Sequence, residues 1–117
     1  MAATTQEKYH FIYQDDYGQE YQISLTKDVL DNNYPDSLFK LLVTHKHMCV
    51  TKHIGEKTYY VLDKPLTMAS RIAEFMERPF TFTLPDVNCY LEALKNEASY
   101  LGVHQLVKWV SLAIGII

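Results

Sequence analysis

The sequence predicts one small α+β domain, a mixed sheet flanked by a cluster of helices. Three observations predict it. The chain has 117 residues, the size of one ordinary domain and enough to bury a core without disulfide or metal help. Its first part alternates apolar and polar residues, the mark of strands with one buried face. Its later part carries apolar residues at helical spacing, broken by short β-branched and aromatic runs. Strands and helices are therefore partly segregated.

Met1 to Lys8 is polar and is expected to fray, which leaves 9–117 as the domain. His10 to Tyr13 reads as a short aromatic-rich strand. Tyr21, Ile23 and Leu25 alternate with Gln22 and Ser24, a second strand of period two. Asp15-Asp16-Tyr17-Gly18 lies between them with turn chemistry, so the pair reads as a hairpin. Thr26 or Asp28 can cap a short helix ending near Asn33, and Tyr34-Pro35 breaks it. Pro35-Asp36-Ser37 starts a second helix whose apolar set is Leu38, Leu41 and Leu42. His45 to Lys57 shows no period and reads as a loop, long enough to suspect a function.

Thr58 to Leu62 is β-branched and aromatic, hence a strand. Asp63 can cap the next helix, with Pro65 in its first turn. Leu66, Ala69, Ile72, Ala73 and Met76 then share one face; Thr67, Ser70, Arg71, Glu74 and Glu77 share the other. Pro79 stops this helix. Phe80, Phe82 and Leu84 alternate with Thr81 and Thr83, a short strand. Pro85-Asp86 opens a helix with Val87, Tyr90, Leu91, Leu94, Ala98 and Leu101 along one side, ended by Gly102 as a left-handed cap. A last helix runs from about Val103. The predicted order is β-β-α-α-β-α-β-α-α.

Hydrophobic residues make up 48% and charged residues 21%, a globular composition rather than a disordered one. The net charge is −3, which draws neither nucleic acid nor an anionic membrane. The apolar stretch Leu106 to Ile117 is shorter than the roughly 20 residues a bilayer span needs, and Lys108 interrupts it. Cys49 and Cys89 are the two cysteines. They are expected to be thiols in a reducing intracellular compartment, cytoplasm or nucleus. No cofactor motif is present.

Three segments carry a family resemblance. Tyr34-Pro35-Asp36-Ser37-Leu38-Phe39 resembles an aromatic-Pro-Asp-Ser/Thr approach to a second helix. Tyr60-Val61-Leu62-Asp63-Lys64 resembles a strand-to-helix passage ending in an aspartate. Leu94 to Val103, followed by Leu106, resembles a Glu-Ala-x-aromatic motif and the leucine after it. Together they resemble the BTB/POZ family, most nearly its potassium-channel tetramerisation (T1-like, KCTD-type) branch, over about residues 9 to 110. The resemblance implies a BTB/POZ-type fold and a non-enzymatic, oligomerising adaptor that binds itself and a cullin-type ubiquitin-ligase scaffold. T1-like domains tend to assemble as rings, other branches as two-fold dimers. A stand-alone assembly domain or a decoy without a ligase role is the alternative. The branch's His/Cys zinc cluster is not carried over, because Cys89 stands alone. On physical grounds the motif residues report fold: Asp36 and Asp63 as caps, Ala98 for close helix approach, Tyr100 and Leu101 as core.

His45, His47, Cys49 and His53 crowd into one segment. All are side-chain types that ligate zinc or build a thiol nucleophile, so a metal-binding or thiol enzyme is the competing class. Their spacing matches no closed zinc site, and a polar loop with scattered histidines is the plain reading. Ile54-Gly55-Glu56 fits the hydrophobic-x-Glu element described for cullin adaptors, with Met48 beside it. Such a triplet is common by chance. The last helix has a narrow polar stripe of His104, Lys108 and Ser111 against Leu106, Val107, Val110, Ala113, Ile114 and Ile117. That face either packs on the domain's own core or is covered by a second copy or partner, with Val110 and Ile114 as contact residues. Among the tyrosines, Tyr17 and Tyr34, beside turns, are expected to be exposed.

Overall fold

A computed structural model of the protein describes residues 7–45 and 49–115. Strands β1 (Lys8–Gln14) and β2 (Glu20–Thr26) form the expected hairpin in antiparallel register, Phe11 opposite Ile23. Its turn is held by Asp15, whose Oδ1 accepts from the Tyr17 and Gln19 amides at 2.9 Å each. Gly18 supplies the positive φ of 81° that closes the turn. Strand β1 begins at Lys8, and the Glu7 carbonyl already accepts from the Lys27 amide. The fraying expected for Met1 to Lys8 therefore does not reach residues 7 and 8, and residues 1–6 lie outside the described chain.

A short π-helical turn, Val29–Asn33, follows. Of its two candidate caps, Thr26 is the one used, its Oγ1 accepting from the Val29 amide at 3.4 Å. Helix α1 (Leu38–Thr44) is capped by Ser37 rather than Asp36. Ser37 has extended φ/ψ, its Oγ accepts from the Lys40 amide, and it donates to the Tyr34 carbonyl. Tyr34 is buried, not exposed as expected, whereas Tyr17 is exposed.

The expected loop from His45 to Lys57 holds an unanticipated strand, β3 (Thr51–Ile54), hairpinned onto β4 (Lys57–Val61). All four β3 residues are exposed, so no buried face exists to impose an apolar period on the sequence. What builds the hairpin is the two-residue turn Gly55-Glu56, with φ of 62° at its glycine, as a type II′ turn needs. Strand β4 pairs parallel to β1, Phe11 beside Tyr60, which gives a four-stranded mixed sheet ordered β2-β1-β4-β3.

Helices α2 (Ala69–Glu77), α3 (Asn88–Leu101) and α4 (His104–Gly115) complete the chain. The strand expected at Phe80–Leu84 does not form. Pro79 and Pro85 bracket the run, no strand lies beside it among the described residues, and Phe82 turns inward, edge-on to Phe75 and Trp109, with Leu84 packed partly against the core. The Thr83 carbonyl instead accepts from the Arg71 guanidinium. The core lies between the sheet face bearing Phe11, Tyr13, Ile23 and Leu25 and the helical residues Phe39, Ile72, Met76, Leu94, Ala98, Leu101, Leu106 and Val110. The apolar face expected of α2 is buried in full, and Phe75 joins it. On α3, Leu91, Leu94, Ala98 and Leu101 are buried, while Val87 and Tyr90 at its start are exposed. Gly102 ends α3 in the left-handed conformation, its amide bonded to the Ala98 and Ser99 carbonyls. The architecture is α+β, and no helix among the described residues is long and apolar enough to cross a membrane.

Candidate interaction surface

Of the three segments singled out in the sequence, the last touches both of the others. Gly102 packs so closely on the approach to α1 that a Cβ there would lie 3.1 Å from Ser37 Cα and 3.2 Å from the Asp36 oxygen. The Tyr100 hydroxyl donates to Asp63 Oδ1 at 3.2 Å, and the Lys64 ammonium lies 4.6 Å from the centre of the Tyr100 ring. Burial and the neighbouring Asp63 carboxylate raise the Tyr100 phenol above its ordinary pKa. Asp63 therefore anchors α3 and does not cap α2, which begins only at Ala69. The cap comes from Glu97, which was not foreseen. Its carboxylate accepts from the Thr67 and Met68 amides at 2.7–3.0 Å and from the Thr67 hydroxyl at 2.8 Å. An anion suits those amides, which have no intrahelical acceptor. No local pattern reveals such a cap, because donor and acceptor lie on different elements.

The residues proposed for partner or metal contact do not form one site. His47 and Met48 lie outside the described residues. Ile54 ends β3, 38% exposed, and Glu56 is the second residue of the hairpin turn. His53 shares a 3.0 Å hydrogen bond with the Thr58 hydroxyl. Cys49 donates to the Leu42 carbonyl at 3.6 Å, and His45 caps the end of α1 with its amide bonded to the Leu41 carbonyl. Among the described residues no three His, Cys, Asp or Glu side chains gather as a metal site. Cys49 and Cys89 form no disulfide.

The last helix divides its apolar face. Leu106 and Val110 are fully buried in the chain's own core, and Val107, Trp109 and Ile114 pack partly against it. Val110 thus supplies stability rather than contact surface, and Ile114 offers only part of its side chain. Ile117 lies outside the described residues; among those described, Leu112 remains exposed, at 62%. Leu41, Val87 and Tyr90 are half-exposed, and Phe80, between α2 and α3, is fully so. The sequence marks these residues as apolar but not as outward-facing, because their faces depend on which neighbours cover each helix. No family model, curated protein or solved structure matches the chain.

Proposed function

We propose that the chain is a BTB/POZ-like protein-interaction module that associates with itself. The observation that carries this reading is that the third resemblance segment touches each of the other two: Asp63 is held by Tyr100, and Gly102 is seated on Asp36-Ser37. Residues so far apart in the chain would share such a junction if the resemblance reflects one fold rather than chance. The exposed Leu112, Phe80, Val87 and Tyr90 supply apolar surface that an assembly would cover. Co-expression of two differently tagged copies tests self-association: each tag should retain the other, and strictly separate elution contradicts the reading.

Service as a cullin adaptor is the finer form of the proposal. Ile54, at the hairpin tip, would be the apolar anchor and Glu56 the polar one. Truncating a central anchor commonly costs about 2 kcal/mol or more in affinity. Calorimetric titration with a cullin N-terminal domain should therefore show weakened binding for Ile54→Ala and Glu56→Ala at an unchanged melting temperature. No heat from the wild-type chain at about 10–100 µM leaves an assembly domain without a ligase role.

A further inference from the structure

The sheet has one edge that is prepared to accept another strand. The ladder between β1 and β2 has a definite phase. The Lys27 amide bonds to the Glu7 carbonyl and the Asp15 amide to the Gln19 carbonyl. In an antiparallel pair, hydrogen-bonded positions alternate. With Tyr9 opposite Leu25 and Tyr13 opposite Tyr21, residues 21, 23 and 25 turn their main-chain groups to β1. Glu20, Gln22, Ser24 and Thr26 turn theirs away from it, toward the edge.

At one end that edge is closed. The Thr26 amide donates to Glu77 Oε1 and its hydroxyl to Oε2, both at 3.0 Å. The amides and carbonyls of Gln22 and Ser24 have no partner among the described residues. Edge strands are ordinarily guarded by lysine, proline or a bulge. Glu20–Thr26 carries neither lysine nor proline, and its register is unbroken.

A groove of about 690 Å³ runs along this edge, with α2 as its far wall. The Ser70 hydroxyl is bonded to the Tyr13 hydroxyl, beside the Tyr21 end of β2, and Glu77 holds the Thr26 end. Helix α2 therefore runs alongside β2, with Ala73 and Glu74 at mid-groove. Ala73, Ile23 and Phe82, all buried, supply the apolar part of the floor, and Glu74, exposed, also lines the groove. Lys8 and Arg78 flank the Thr26 end, since Lys8 pairs with Thr26 and Arg78 follows Glu77; Asp28 also borders the groove.

We infer that this groove binds an extended peptide segment of a partner protein, which adds a strand to β2 through Gln22 and Ser24. The segment places a small apolar side chain over Ala73 and Phe82 and a basic one against Glu74. Main-chain pairing supplies affinity and the alternate side chains supply selectivity. A second copy of β2 is the poorer occupant. Its Glu20–Thr26 strand carries neither lysine nor arginine to set against Glu74. The inference is independent of how the module self-associates and of any cullin contact.

The probe is a fluorescent, end-blocked peptide, Thr-Lys-Thr-Val-Thr-Lys-Thr, followed by anisotropy. Three controls accompany it: the peptide N-methylated on alternate amides, the version with glutamate for lysine, and the protein variant Ser24→Pro. Proline is tolerated on an edge whose N–H faces solvent, and a melting curve checks the fold. Binding should weaken about tenfold or more in every control, and oligomer size should not change in Ser24→Pro. Absence of binding at about 1 mM, or binding indifferent to N-methylation, overturns the inference. So does dissociation of the oligomer by Ser24→Pro, which would assign the edge to a second copy. The N-methyl control does not depend on any variant folding.

Discussion

At the scale of single residues, caps separate what local chemistry reveals from what it hides. Asp36-Ser37 announced a helix start, but Asp and Ser are near-equal caps, and only the extended φ/ψ of Ser37 decides between them. Asp63 had the right composition for a cap and serves Tyr100 instead, while the cap of α2 is Glu97, thirty residues from Thr67. Glu97→Ala should therefore cost about 1–2 kcal/mol in urea unfolding. A loss near zero would mean that water replaces the carboxylate without penalty. Core positions are legible in the sequence because burial follows period. Ile72 and Leu94 are fully buried, and Phe82 nearly so. Truncation of each to alanine should cost about 2–5 kcal/mol; a melt showing less than about 1 kcal/mol for one would contradict its placement. His10 supplies a pH test. Desolvation by burial, helped by Lys57 and Lys8, holds its imidazole below the ordinary histidine pKa. The unfolded chain then binds the proton more readily, so this contribution to stability is present above about pH 6.5 and lost as pH falls below it. His10→Gln should flatten that part of the denaturation-midpoint profile relative to wild type, and an unchanged slope would assign it to other groups.

At the scale of elements, the readings that failed did so for opposite reasons. Strand β3 was invisible because it is exposed on every residue; its pairing rests on backbone geometry and one glycine turn. The run Phe80–Leu84 resembles a strand because it alternates, yet it has no neighbour to pair with among the described residues, and alternation alone makes no ladder. The hairpin β1–β2 and helices α2 and α3 were legible because each buries one face against the same core. Their turn glycines can be ranked from geometry. Gly18 and Gly102 have φ of 81° and 76°, but a Cβ at Gly18 meets nothing within 4 Å, whereas one at Gly102 meets backbone at 3.1 Å. Gly18→Ala should cost about 1 kcal/mol from conformation alone. Gly102→Ala should cost clearly more, about 2 kcal/mol or above, because α1 must be pushed away. Equal losses in a denaturant titration would show that the junction yields freely.

At the scale of the whole molecule, the fold class was legible and the interaction surface was not. Sequence period places Leu106 and Val110 on an apolar face, but only the packing of α4 against α3 and the core shows that they are consumed internally and that Leu112 is left outside. The metal-type residues His45, Cys49 and His53 were legible as a cluster in the sequence. The β3–β4 hairpin carries His53 to the exposed ribbon, bonded to Thr58, while Cys49 turns to the Leu42 carbonyl. A surface leucine on α4 with Phe80, Val87 and Tyr90 also exposed supports an assembled state. Leu112→Glu should therefore break the assembly while leaving the melting temperature of the isolated chain nearly unchanged, because the position lies outside the core. Size-exclusion chromatography with light scattering at about 100 µM decides whether the chain self-associates. The wild-type chain should run at a multiple of 13.6 kDa, reduced by Leu112→Glu; a wild-type monomer at that concentration would rule self-association out.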